Sequence, residues 1–147
     1  MSGRSHVAWK RSGTALVEFA LVSPLLLLLL AGALDYGMAL RTATSVAAAA
    51  RAGAQYGSLS ASNVADTAGI RAAAVNAAPD VKSLTVTSST ACQCSGGGAV
   101  SCSGSCAGGK MMVYVQVTAK ATAATIFKYA GLGFSGATSS QASMRAQ

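Results

Sequence analysis

Charged side chains are scarce in this sequence. Lys, Arg, Asp and Glu together make up 10 % of its 147 residues, against about a quarter in an average soluble domain. There is one histidine, His6, and the carboxylates after residue 34 are only Asp35, Asp66 and Asp80. No serine or cysteine therefore has an evident general base. We expect a protein that is not an enzyme and that uses neither a cofactor nor a metal.

The shortage of charge is concentrated in one segment. Between residues 15 and 34 the sole ionisable residue is Glu18. A helix of about 20 apolar residues spans the roughly 30 Å hydrocarbon core of a bilayer. The sequence therefore predicts a membrane-spanning helix over residues 15–34.

The net charge of +7 is distributed along the chain rather than clustered. Arg4, Lys10 and Arg11 precede the apolar segment, Arg41 is the first basic residue after it, and the others are scattered without interleaved aromatics. This spacing does not indicate a nucleic-acid surface. Because basic flanks of membrane helices tend to stay in the cytoplasm, we expect a cytoplasmic N-terminus and an exported C-terminal part.

The remaining patterns predict an α+β fold. A long N-terminal helix is expected from Thr14 to Tyr56, since it continues past the membrane segment as an alanine-rich run. A second helix capped by Ser62 or Asn63, an antiparallel sheet and one further short helix complete the exported domain. The expected bounds are 63–77 for the second helix, 84–87, 111–119 and 138–144 for the strands, and 122–129 for the last helix. The corresponding domains are a leader over 1–13, a helix over 14–57 and an exported domain over 58–147.

All four cysteines fall in a Ser/Gly-rich segment, interpreted as a loop over residues 90–109: Cys92, Cys94, Cys102 and Cys106. Their even number in an exported domain favours two disulfides. Three connectivities are open, and nested pairing of Cys92 with Cys106 and Cys94 with Cys102 suits a simple hairpin. A four-cysteine zinc site is the alternative, but its knuckles usually have a C-x2-4-C spacing and this sequence has C-x-C.

Small residues recur every four positions at two places in the long helix. Ala33 and Gly37 form one pair, and Ala49, Gly53 and Gly57 form the second set. Such spacing lets two backbones approach closely. We expect the second set to pack on the chain's own domain and the first pair to face a neighbouring helix.

The junction between the basic leader and the apolar segment carries a motif. Gly13 is followed by Thr14, three apolar residues, Glu18 and the aromatic Phe19. This pattern resembles the type IV prepilin processing site. The wider stretch from Arg11 to about residue 57, including the run AARAGAQY at its end, resembles the TadE-like family of minor pilins, or pseudopilins, of the Tad (Flp) type IV pilus.

This resemblance implies a function and a set of partners. A prepilin peptidase would cut after Gly13, and Thr14 would become the first residue of the mature chain. The protein would sit in the bacterial inner membrane and join or prime a pilus used for surface adhesion. Its partners would be the major pilin, other minor pilins and the inner-membrane assembly platform. The new ammonium group of Thr14 would then pair with Glu18 of a neighbouring subunit.

Two alternatives compete with this interpretation. The run Ala31-Gly32-Ala33 fits an ordinary signal peptidase site, which would release a secreted domain beginning at Leu34. The apolar segment is longer than the usual 7–15 residues of a signal peptide's core, and Glu18 interrupts it. The second alternative is a membrane-tethered or secreted adhesin whose disulfide loop contacts a ligand.

Overall fold

The computed structural model describes residues 12–125 and 136–146. The chain divides into two compact units, residues 1–37 and 38–147. In order, the elements are three helices and four strands: α1 (Ser12–Ser58), α2 (Ala61–Ala65), α3 (Thr67–Asn76), β1 (Thr85–Cys94), β2 (Ala99–Val100), β3 (Met111–Thr122) and β4 (Ala137–Arg145). The fold class is therefore α+β, as the sequence predicts.

Helix α1 is the longest element and contributes residues to both units. It begins at Ser12, before Thr14, and it continues through Pro24. Its N-terminal apolar residues are exposed, including every leucine from Leu25 to Leu30. By length and composition α1 is able to cross a membrane, and the most apolar window of the helix has none of its residues buried. The described part of the first unit, residues 12–37, is thus a single apolar helix, which is compatible with a single-pass membrane protein.

The second unit is a four-stranded antiparallel sheet with helical residues packed on one face. The strand order is β2-β1-β3-β4. On β3 the side chains alternate, and Val115, Val117 and Ala119 are buried, because successive side chains of a strand point to opposite faces. They pack against Ala50 and Ala54 of α1 and against Ile70 and other residues of α3 in two adjoining clusters.

Glycine in the C-terminal half of α1 allows this packing. A Cβ atom on Gly57 would lie 2.8 Å from Cγ1 of Val115, and one on Gly53 would lie 3.1 Å from Cγ1 of Val117. Real Cβ contacts of 2.8 Å do not occur without displacement of a neighbour. The prediction that this set of small residues packs on the chain's own domain is confirmed. At Gly37 a Cβ would meet nothing within 4 Å in the described structure, so its expected neighbour stays a prediction.

Three sequence expectations about local structure are wrong. The second helix is two helices separated at Asp66, whose carboxylate caps the second of them, and Ser60 rather than Ser62 or Asn63 caps the first. Strand β1 extends from Thr85 to Cys94, so residues 90–94 of the expected 90–109 loop are strand. Residues 99–100 of that loop form the additional strand β2.

Half of the expected helix over 122–129, residues 126–129, lies outside the described residues, and the other half is not helical. Thr122 belongs to strand β3, and residues 123–125 have no regular structure. The expected leader over 1–13 also lies mostly outside the described part, apart from Ser12 and Gly13 at the start of α1.

Candidate functional site

The residues of the processing motif lie in the first turns of α1. Within the described part of the chain, an added Cβ on Gly13 has no neighbouring atom within 4 Å, and Phe19 is 67 % exposed. Glu18 is exposed as well. Thr14 and Glu18 are four positions apart on one helix face. The motif is thus presented on one accessible stretch of helix.

The cysteines form two disulfides, although not in the nested order. Cys92 bonds to Cys102, with Cα atoms 5.1 Å apart, and Cys94 bonds to Cys106, with Cα atoms 5.6 Å apart. The nested pairing that suited a simple hairpin is therefore wrong. All four sulfurs are used in these bonds, which favours the disulfide interpretation over the zinc site.

Strand β2 explains the crossed connectivity. After Cys94 the chain turns and runs back along β1, so that Val100 lies opposite Cys92. Cys102, two residues further on, therefore arrives beside Cys92 rather than beside Cys94. The chain then turns again, with the amide of Gly104 donating to the carbonyl of Ser101 (2.8 Å). It returns toward β3, whose first residue, Met111, lies opposite Cys94, and this path brings Cys106 to Cys94.

The sequence reasoning missed a polar cluster where α1, α2 and α3 meet. The amide of Gly69 donates to Oδ1 of Asp66 (2.9 Å), and the hydroxyl of Tyr56 donates to Oδ2 of the same carboxylate (2.8 Å). A Cβ on Gly69 would overlap both Asp66 and the Tyr56 ring, so a larger residue there would displace these two side chains. The signal available in the sequence is the aspartate three residues before Gly69, which is typical of a helix N-cap.

These hydrogen bonds change the acidity of Asp66. The amide of Gly69, and after it the Tyr56 hydroxyl, stabilise the charged form and hold the pKa of Asp66 below its usual value. A carboxylate whose pKa is lowered by folding stabilises the folded state above its unfolded pKa, about 4. That stabilisation is lost as the pH falls through the folded pKa.

We therefore expect the thermal midpoint of the four-stranded domain to fall below about pH 4 partly because Asp66 becomes protonated. Asp66→Asn keeps an oxygen that can accept from the Gly69 amide but removes the ionisable carboxyl group. The variant should melt a few degrees lower at neutral pH, and the difference from the native chain should shrink as the pH decreases. Circular dichroism melts of the full chain in detergent micelles, from pH 7 to pH 2.5, measure both curves. A difference that does not change with pH would contradict this role of Asp66.

A second polar contact joins α1 to the segment before β1. The guanidinium Nε of Arg41 lies 3.4 Å from Oδ2 of Asp80, and the Ser45 hydroxyl donates to the same oxygen (3.2 Å). The Arg41 side chain is 76 % exposed, so this ion pair is of the solvent-screened kind that contributes little to stability. In the described residues no three His, Cys, Asp or Glu side chains are grouped as metal ligands would be.

Comparison with known proteins gives one match. The family model of TadE-like proteins matches residues 13–55, from the glycine of the motif to the end of α1. No curated protein and no solved structure matches the chain. The TadE-like family is one of structural pilus components and not one of enzymes. The matched residues 13–55 form nearly all of the N-terminal helix, and over this helix the chain is similar to TadE-like proteins.

Proposed function

We propose that the chain is a minor pilin, or pseudopilin, that a prepilin peptidase processes between Gly13 and Thr14 before it takes part in assembling or priming a Tad (Flp) pilus. The observation that carries the proposal is the coincidence of three features at one place. The family match begins at Gly13, the stretch of α1 that is able to cross a membrane begins there too, and Glu18 is the sole ionisable residue in positions 15–34.

Processing is a hydrolysis of one peptide bond. Water adds across the Gly13–Thr14 amide, so that Gly13 gains a carboxylate and Thr14 gains an amine that is protonated at neutral pH. No atom of residues 12–125 or 136–146 lies within 4 Å of an added Gly13 Cβ, which is compatible with a peptidase reaching this bond. The basic residues Arg4, Lys10 and Arg11 would keep the cut site at the cytoplasmic face.

The charge of Glu18 gives the mature helix a specific position for a partner. A carboxylate within an apolar helix is costly unless it has a partner, and the proposed partner is the Thr14 ammonium group of a neighbouring subunit. Such a pair offsets the desolvation of both groups and fixes the axial register of two helices. The exposed leucines of α1 would be covered by lipid before assembly and by other pilin helices after it.

The proposed location follows from the same features. The mature protein would be a single-pass protein of the bacterial inner membrane, with its N-terminus cytoplasmic and the four-stranded domain exported. The two disulfides support export, since such bonds persist in oxidising compartments. Its partners would be the prepilin peptidase, the major pilin, other minor pilins and the assembly platform. Adhesion to surfaces would be a property of the complete pilus.

A second candidate function is a membrane-tethered adhesin. The doubly bridged segment from Cys92 to Cys106 favours it, because most of its residues are exposed and the bridges hold them in one conformation. In this alternative the exported domain binds a ligand from the membrane and never enters a filament.

Shearing pili from cells that express a tagged chain separates the two functions. If the protein is a pilin, we expect it either in the sheared filaments or, as a priming subunit, in the membrane with piliation lost when its gene is deleted. An adhesin stays in the membrane, and its deletion leaves pili intact. Membrane retention together with normal piliation would overturn the pilin proposal.

A further inference from the structure

Strand β1 has an open edge on the side away from β3. It pairs with β3 along its whole length, Thr85–Cys94, but with β2 only at Cys92 and Gln93. Over residues 85–91 no other strand of the described chain occupies the second side. A groove of about 890 Å³ lies there between this edge and α3, lined by Val86 and Ser88 and by Arg71 and Val75 of the helix.

The direction of the backbone groups on this edge follows from the hairpin. The amide of Cys94 donates to the carbonyl of Gly98, and its carbonyl accepts from the amide of Gly97, both at 2.8 Å, so Cys94 directs both groups away from β3. Because the direction alternates along an antiparallel strand, Val86, Ser88 and Thr90 do the same. Their amides and carbonyls form a row of donors and acceptors at the groove.

At the opposite side of the sheet, no strand of the residues described, 12–125 and 136–146, pairs with the outer side of β4, so β4 presents a second open edge there. The amide of Ala146 donates to the carbonyl of Val113 (2.8 Å). By the same alternation the even-numbered residues of β4 bond to β3, and the odd-numbered ones, Ala137, Ser139, Gln141, Ser143 and Arg145, direct their amides and carbonyls outward. Neither edge carries the lysine, proline or bulge with which edge strands are usually protected.

The two edges match each other in strand direction and in their register relative to β3. Both β1 and β4 are antiparallel to β3, so they run the same way. Across β3, Thr85 and Ser139 share Lys120 as their partner, and Ala91 and Arg145 share Tyr114. A second copy displaced straight across the sheet therefore brings residues 139–145 alongside residues 85–91, a contact of about 23 Å at 3.3 Å per residue. Arg145 is the one charged residue among them, so like charges do not oppose the approach.

We propose that β4 of one copy of this chain pairs in parallel with the open β1 edge of a second copy. The occupant is a second copy because a single molecule offers both halves of the contact in matching direction and level. The contact joins two different surfaces, so it leaves one β4 edge and one β1 edge free and repeats from copy to copy. It goes beyond the proposed function, because it requires neither cleavage at Gly13 nor the charge of Glu18.

The strength of this contact depends on other contacts between the copies. Two paired strands alone bury less than the roughly 1,200 Å² of a stable protein interface. The pairing is therefore weak between free molecules and becomes populated where copies are already concentrated, as they are when their apolar helices share a membrane. The test for that reason uses the full-length chain in its native membrane.

Cysteine cross-linking between two tagged forms of the chain tests the proposal. One form carries Thr87→Cys and the other Gln141→Cys. Thr87 and Gln141 both lie opposite Thr118 of β3, so they occupy the same position along the two edges. Both side chains are exposed on the sheet face away from the core. Mild oxidation of membranes that contain both forms should give a mixed disulfide dimer, and membranes with either form alone should give little. Gln55→Cys, exposed on α1, replaces either partner as the control for random collision.

A proline variant supplies a second readout. Ser88→Pro removes an outward amide that the fold itself does not use, and proline is tolerated at such edge positions. In the Thr87→Cys form it should abolish the mixed dimer, while the native disulfides and the protease resistance of the domain remain. Because protease resistance verifies that the variant is folded, loss of the cross-link then shows that the β1 edge forms the contact.

Each other result overturns the proposal in a recognisable way. Dimers of the Gln141→Cys form alone would show a two-fold β4–β4 contact, and dimers of the Thr87→Cys form alone would show a β1–β1 contact. A mixed dimer no more abundant than the Gln55→Cys control, or one that survives Ser88→Pro, would show that the edges do not pair. Since the cross-link is measured in membranes before any filament is isolated, its failure is distinguishable from failure of the chain to act as a pilin.

Discussion

Gly13→Val is expected to leave nearly all of the protein as uncut precursor with residues 1–13 attached. The peptidase must bring the carbonyl carbon of residue 13 to its catalytic water, and a branched side chain at that position hinders the approach. Among the residues that the structure describes, an added Cβ at Gly13 meets nothing within 4 Å. The change should therefore affect the peptidase without disturbing the fold. Intact-mass measurement of the membrane fraction gives the proportion cut.

Gly32→Val is the matched control for this substitution. Gly32 also lies in the apolar part of α1, and an added Cβ there again meets nothing within 4 Å. The control variant should begin at Thr14, as the native chain should. A native chain that begins at Leu34 would contradict the pilin proposal and support cleavage by signal peptidase after Ala33. Gly13→Ala is a poorer probe, because a single methyl group can still be accommodated at a cut site.

Glu18→Gln is expected to abolish most or all piliation while the chain is still inserted and cut. Glutamine keeps the shape of the side chain and removes its charge, so the attraction to a Thr14 ammonium group is lost and the cost of desolvation is reduced. Cleavage depends chiefly on Gly13, and Glu18 lies about one and a half helical turns beyond it. Electron microscopy counts the pili, and intact mass shows whether the protein is cut.

Three outcomes distinguish the roles of Glu18. Normal piliation would mean that the carboxylate is only an interfacial residue, or that it pairs with Thr14 of its own chain, four positions away. Accumulation of uncut protein would place Glu18 in the recognition site of the peptidase. Glu18→Asp, which keeps the charge on a shorter side chain, should restore part of the piliation that Gln removes if charge is what matters.

Elements marked by a strong local pattern could be predicted from the sequence. The alanine-rich and leucine-rich runs predict α1 to within two residues at each end, and the alternation of Val113, Val115 and Val117 predicts β3. The motif at Gly13 and the spacing of Ala49, Gly53 and Gly57 also stand out, because each depends on residues close together in the chain.

Features that depend on partners distant in the chain could not be predicted. The polar stretch of β1 from Ser88 to Thr90 lacks the alternation of apolar and polar side chains that is typical of a strand. It is a strand because β3 provides a full set of backbone partners. The crossed disulfides follow from β2, a strand of two residues with no signal of its own. Asp66 was recognised as a carboxylate but not as the boundary between two helices, since Tyr56 and Gly69 complete its environment only in the folded chain.

The contact between α1 and the sheet has an unusual entropic character. Apart from Val46, the larger core cluster consists of alanines from α1, α3 and its C-terminal turn, and β3: Ala49, Ala50, Ala74, Ala78, Ala119 and Ala121. Alanine loses no rotamer entropy on burial, whereas long side chains lose up to about 2 kcal/mol each. Within the cluster Val46 is the one residue whose side chain can change rotamer, and the larger side chains packed against it, Val81, Leu84 and Val86, are only partly buried. A larger residue inside the cluster is therefore accommodated chiefly by moving backbone, so this helix and this sheet have few alternative ways to pack.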